Sequence, residues 1–135
     1  MISGRNLTRQ TIDLVKWQKL SQLFLDEQRA VGEVSLVLVG DKRIRNLNRQ
    51  YRHKDKITDV LSFASDEAGQ LGEIIIDYQQ IMRQSRRFKN SIWCELIFIT
   101  THGLLHLLGH DDETENGWKT MEKISQDFID QYQIC

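Results

Sequence analysis

The chain has no proline, only two cysteines and few aromatic residues (8%). With no proline, eight glycines and no low-complexity segment, neither a collagen-like rod nor a Pro-rich linker fits. Two cysteines cannot frame a disulfide scaffold. Cys94 lies in an apolar run and Cys135 is the last residue, so the expectation is two free thiols in a reducing compartment. The first ten residues contain no apolar stretch of the kind a secretory signal needs. No apolar run is long enough to read as a membrane span: the longest, Ile92 to Leu108, carries Glu95, His102 and His106 and reads as a buried helix. A soluble, cytoplasmic protein is therefore expected. Charge of neither sign dominates, since 18 Lys and Arg face 19 Asp and Glu for a net charge of −1. That excludes a histone-like polycation but not a local basic patch.

What is present points to one globular domain spanning 1–135. A chain of 135 residues, 40% hydrophobic and 27% charged, can bury an ordinary core. Ile12, Val15, Leu20, Leu23 and Phe24 predict a helix over about 11–26, and Val34 to Val39 predicts a strand. Asp41 is a candidate N-cap for a second helix carrying Ile44, Leu47 and Tyr51. Short strands are expected at 59–63 and 73–77, with a further one in the first ten residues. Three more helices are expected: one from Tyr78, one over about 91–108 ended by Gly109, and one over about 115–131. Five helices with three or four strands make an α/β or α+β layer fold.

The chemistry concentrates between His102 and Asp112. His102 and His106 are four residues apart, which on a helix puts both imidazoles on one face, able to grip one Zn²⁺. Gly109 lets the chain turn back, so that His110, Asp111 or Asp112 can supply a third ligand. Asp112 also has a structural reading, as the first residue of a capping box with Glu115 for the last helix. Zinc proteases that share the His spacing carry a glutamate directly after the first histidine; here that residue is Gly103. Three ligands would leave a coordination position open, as in catalytic rather than structural zinc sites.

Basic residues are unevenly spread. Seven fall between Lys42 and Lys56 against the single acid Asp55, and Arg83, Arg86, Arg87 and Lys89 form a second run. A basic surface beside an acidic, metal-binding bend suits a polyanion, although charge runs are also ordinary solvated helix faces. No RNP-type aromatic signature is present.

The run from His102 to Asp112 resembles the His-Gly-x-Leu-His-Leu-x-Gly-x-Asp-His signature of the YbeY family of small metal-dependent endoribonucleases. Leu47-Asn48, Tyr51-Arg52, Lys54-Asp55 and Thr58 to Phe63 agree with the family, as do Leu71 to Ile76 and Met121-Glu122. The resemblance implies a small mixed sheet, a metzincin-like zinc helix and a cleft beside the sheet. It also implies cleavage of single-stranded RNA, maturation of the small-subunit rRNA 3′ end and a role in ribosome quality control. One zinc ion is implied on His102, His106 and Asp112, with Arg52 as the functional arginine stabilising charge on the phosphoryl oxygens. A structural ion pair from Arg52 to a carboxylate such as Asp59 is the alternative. The sequence departs from the family at Asp112, where histidine is usual, at Ala64, where proline is common, and at Glu73, where aspartate is usual. Carboxylate oxygen is an acceptable zinc ligand, so the first departure bears on which metal binds. Two other readings compete: a metallohydrolase acting on peptides or small molecules, and a ribosome-associated RNA-binding module with structural zinc.

Overall fold

The two most apolar strand segments of the chain lie side by side at the centre of the sheet. In the computed structural model, which describes residues 1–135, the elements run β1 (Ile2–Asn6), α1 (Leu14–Glu27), β2 (Glu33–Val39), α2 (Asp41–Arg52), β3 (Val60–Ala64), β4 (Gln70–Asp77), α3 (Tyr78–Arg87), α4 (Ile92–Leu107) and α5 (Glu115–Gln131). The sheet order is β1-β2-β4-β3. β1, β2 and β4 are parallel, and β3 runs antiparallel to β4 at one edge.

The near-continuous hydrophobicity of β2 and β4 follows from burial on both faces. Leu36, Leu38, Ile74 and Ile76 point into the main core with Trp17, Phe24, Leu96, Leu104 and Phe128. The alternate residues Val37, Val39 and Ile75 point the other way, onto Ile44 and Leu47 of α2. Each fully buried large side chain contributes about 1.5–3 kcal/mol.

α4 lies against the sheet, flanked by α1, α3 and α5. Ten of its 16 residues are buried. Its polar members are paired: Trp17 Nε1 donates to Thr100 Oγ1 (3.0 Å), and Thr101 Oγ1 donates to Ser125 Oγ (2.8 Å). Gly103 permits the close approach. A Cβ there would stand 3.2 Å from both Ile74 Cγ2 and Ser62 Oγ.

The α/β architecture is the expected one, with local corrections. α1 starts at Leu14 because the Asp13 carboxylate accepts from Lys16 N. Asp41 does not cap α2: Gly40 holds that position, and the Asp41 carboxylate is drawn instead to Arg83 on α3 (2.7 and 3.0 Å). The cysteines are not free. Cys94, in the first turn of α4, is disulfide-bonded to Cys135, with Cα atoms 5.2 Å apart. The docking of α5 along α4 brings the end of the chain back to the start of α4, a tertiary event invisible in the spacing of the two cysteines.

Candidate metal centre

The last two turns of α4 carry His102 and His106 on one face, with ring centroids 4.7 Å apart. The helix then stops sharply. Gly109 takes φ +94°, its N–H donates to His106 O, and His110 N–H donates to Leu105 O, both at 3.0 Å. This pair of bonds and the left-handed glycine reverse the chain at the helix end. The reversal carries Asp112 back over the histidines.

Asp112 is free to go there because other residues do the local structural work. The Asp111 carboxylate accepts from Glu113 N (2.8 Å) and braces the bend. Thr114, not Asp112, caps α5, accepting from Gly117 N (3.0 Å). The capping-box reading of Asp112 is thereby corrected. Gly117 is a residue the sequence reading missed: a Cβ at this point of α5 would overlap the main-chain oxygen of Asp111.

The outcome is a triangle of ligand atoms. His102 Nε2 lies 3.1 Å from His106 Nε2, and Asp112 Oδ2 lies 3.2 Å from each. Four ligands placed tetrahedrally at zinc–nitrogen or zinc–oxygen distances are about 3.3 Å apart. Protons alone cannot satisfy the triangle. An ionised carboxylate only accepts, so both Nε2 atoms would have to donate to it, and the edge between the two imidazoles would then set N–H against N–H. One cation between the three atoms does satisfy them, and the donor set of two imidazoles and a carboxylate suits a borderline divalent metal. Burial foremost, then the charge of His106, holds the His102 pKa below its ordinary value, which favours the neutral, metal-binding form. His110 is not part of this group; the three residues that could hold a metal are His102, His106 and Asp112.

These residues line a cleft of about 440 Å³ whose opposite wall is Thr58 and Asp59 with Val60, Leu61 and Ser62 of the edge strand β3, and whose rim carries Arg52. Arg52 Nη2 donates to Ser62 O (2.7 Å), and its guanidinium stacks 4.8 Å from the Phe63 ring. No ion pair to Asp59 forms. Arg52 thus occupies a main-chain acceptor on the sheet edge, where an extended peptide would otherwise pair, and its remaining N–H donors have no protein partner. Gly103 bears on the same question. Its α-carbon faces the sheet, so a glutamate at that position would have no room, and the proteolytic base of related zinc sites cannot be supplied from there.

Part of the basic run is internally neutralised. Arg45 and Arg49 reach Asp55 at 2.8 and 3.9 Å. With Lys42 they still border an open groove of about 480 Å³ on the outer side of α2. No helix is long and apolar enough to cross a membrane.

A family profile described as Endoribonuclease YbeY matches residues 4–133. A Carboxydothermus hydrogenoformans protein named Endoribonuclease YbeY is 41% identical over 104 residues, covering 75% of this chain and 73% of that protein. A Malacoplasma penetrans protein of the same name is 36% identical over 135 residues, covering 95% of this chain and 85% of its own length. Among solved structures, the solution structure of a Thermotoga maritima protein superposes with a TM-score of 0.70 at 25% identity, covering 98% of this chain and 92% of that one.

Proposed function

The chain belongs to the YbeY endoribonuclease family, and from that membership we propose that it is a single-strand-specific, zinc-dependent endoribonuclease. Its substrate in this reading is rRNA, cut during maturation of the small-subunit 3′ end and in ribosome quality control. The setting is cytoplasmic, where reductant acts against the Cys94–Cys135 bond, with the small ribosomal subunit as partner. The observation that carries the reading is the convergence of His102, His106 and Asp112 in a cleft that also presents Arg52.

His102, His106 and Asp112 are assigned as the metal ligands. A bound divalent cation supplies Lewis acidity toward a phosphate oxygen or a water molecule. Arg52 is assigned to the phosphate. Its hydrogen bond to Ser62 O and its stacking on Phe63 hold the guanidinium plane at the cleft rim, with unused N–H groups to grip phosphoryl oxygens as charge builds on them. The basic groove along α2 offers a path for flanking phosphates. A peptidase reading has less support, since Gly103 leaves no place for a base and Arg52 caps the strand edge a peptide would use.

Cleavage of a single-stranded RNA by the zinc-loaded protein tests this. Chelation and His106→Ala should abolish cleavage. Arg52→Ala should lower it by about 10²-fold, the scale of losing one donor to a developing oxyanion, with zinc content unchanged. Cleavage of casein but not RNA, or full RNA cleavage by Arg52→Ala, would overturn the assignment.

A further inference from the structure

The face of α4 that carries the two histidines continues toward the helix start. Ile99 and Glu95 precede His102 by three and seven residues, so they share its stripe, with Glu95 roughly 10 Å along the axis. Beside that stripe lies a second pocket, of about 220 Å³, separated from the metal cleft only by Asp59 and His102, which line both. Three features define it. Two aromatic side chains at its wall, Phe88 and Trp118, are about half exposed (56% and 48%) although both are large and apolar. Three carboxylates, Asp59, Glu95 and Glu122, line it, and none forms an ion pair. One of them, Glu95, is 96% buried from solvent, its relative exposure being only 4%. Burial foremost pushes the Glu95 carboxyl up, against the hydrogen bonds of Gln84 and Asn90 and with the charge of Asp59 adding to the rise.

The chemistry of the lining narrows what can enter. A phosphate is repelled by three carboxylates. A metal ion is not held either, because the only side chains whose ligand atoms converge on one point are His102, His106 and Asp112. A flat group with N–H donors on its edge meets both requirements, its face against the aromatics and its edge toward the acids.

We infer that this pocket receives an unstacked nucleobase of the substrate strand, next to the phosphate held at the metal cleft, and that it favours guanine. The inference rests on the RNA reading above and adds to it a base-reading subsite. Guanine presents two neighbouring donors, N1–H and the 2-amino group, which match the two oxygens of one carboxylate. Uracil presents a single N–H between two carbonyls, which the acids repel. Adenine and cytosine, with one amino group beside a ring acceptor, fall between. The base and its phosphate are thereby sorted by charge: the acidic side of His102 takes the base edge, and the Arg52 side takes the phosphate. A base can reach the pocket only when it is splayed out of a helix, so the same subsite selects single strands.

Two measurements test it. In the first, zinc-loaded protein is given oligouridine 12-mers with or without one internal guanine. The wild type should cleave the guanine-containing strand at a fixed offset from that base and about tenfold faster. Trp118→Ala and Glu122→Gln should each remove most of that preference, on the scale of one lost base stack, read for each protein as the ratio of its rates on the two strands. In the second, quenching of tryptophan fluorescence is followed with guanosine monophosphate and with uridine monophosphate. Guanosine monophosphate should quench more strongly, and Glu122→Gln, which keeps the reporting indole, should weaken its binding about tenfold. Equal cleavage of both strands by wild type and both variants would refute the pocket and leave the nuclease reading standing. Absence of all RNA cleavage with selective guanosine quenching would do the reverse. Quenching by an arginine-rich peptide but by neither nucleotide would overturn the inference in favour of a basic protein partner.

Discussion

Replacing Gly117 with alanine should weaken metal binding while leaving the protein folded. Gly117 sits in the first turn of α5, and a Cβ there would overlap the main-chain oxygen of Asp111. Alanine in place of glycine within a helix is worth about 1 kcal/mol in favour of the helix. Forcing a methyl group into filled space costs about 1–3 kcal/mol. The two effects leave a net cost of up to about 2 kcal/mol, so the variant should stay folded with a modestly lower melting temperature. The metal site has no such compensation. The displaced atom belongs to the residue before Asp112, whose Oδ2 lies 3.2 Å from both histidine nitrogens, and a ligand set tolerates displacements of only about 0.2 Å. A loss of about 10–100-fold in zinc affinity is expected, as for other changes to groups that position a ligand. Competition with a chromophoric chelator measures the affinity, and a thermal melt of the metal-free protein measures the stability. Wild-type affinity in Gly117→Ala would refute the idea that the Asp111–Gly117 contact sets the position of Asp112. An unfolded variant would refute the energetic argument.

Two further predictions concern parts of the fold away from the cleft. Cys135→Ser should lower stability by up to about 4 kcal/mol under oxidising conditions, the chain-entropy value for a closed loop with a sequence separation of 41, and have little effect in excess reductant; equal denaturant midpoints with and without reductant in the wild type would contradict the crosslink. Asp77 is fully buried at the end of β4, with Oδ1 capping α3 and Oδ2 accepting no hydrogen bond, Arg83 Nη2 lying 3.9 Å away. Burial foremost, then the neighbouring Asp41 carboxylate, pushes its pKa up to about 7. Because the folded state holds this proton more tightly than the unfolded chain, wild-type stability should fall as pH rises from about 4 to 7. Asp77→Asn keeps the cap and should remove that dependence, becoming the more stable protein above pH 7; parallel stability–pH curves for the two would contradict it.

The sequence pattern carried the layers of this fold but not their arrangement. The near-continuous apolar runs Val34 to Val39 and Ile74 to Ile76 mark strands buried on both faces, and they say nothing of the order β1-β2-β4-β3 or of β3 as the edge beside the cleft. Helix ends were legible to within a few residues. The misread caps, Asp41 and Asp112, are carboxylates whose local capping role lost to a distant partner, Arg83 in one case and the histidine pair in the other. The spacing of His102 and His106 was readable because a helix converts it directly into a shared face. The approach of Asp112 was only half readable: Gly109 announces the reversal, whereas Gly117, which makes room for the bend, looks like any helix-start glycine. Nothing local announced the pocket of Glu95, Phe88 and Trp118 either, since its walls come from different elements that meet only on docking. Gly103 carried a signal of another kind. The missing glutamate read as an absence, and the structure gives its cause, a helix pressed onto Ile74 and Ser62.

The central claim is that His102, His106 and Asp112 together hold one divalent ion at the cleft. Metal content by mass spectrometry of the purified wild type, beside Asp112→Ala dialysed under identical conditions, tests it most directly. The account predicts one zinc equivalent per chain in the wild type and a substoichiometric, readily stripped metal in the variant. A metal-free wild type after zinc loading, or a variant that retains a full equivalent through dialysis, would contradict it.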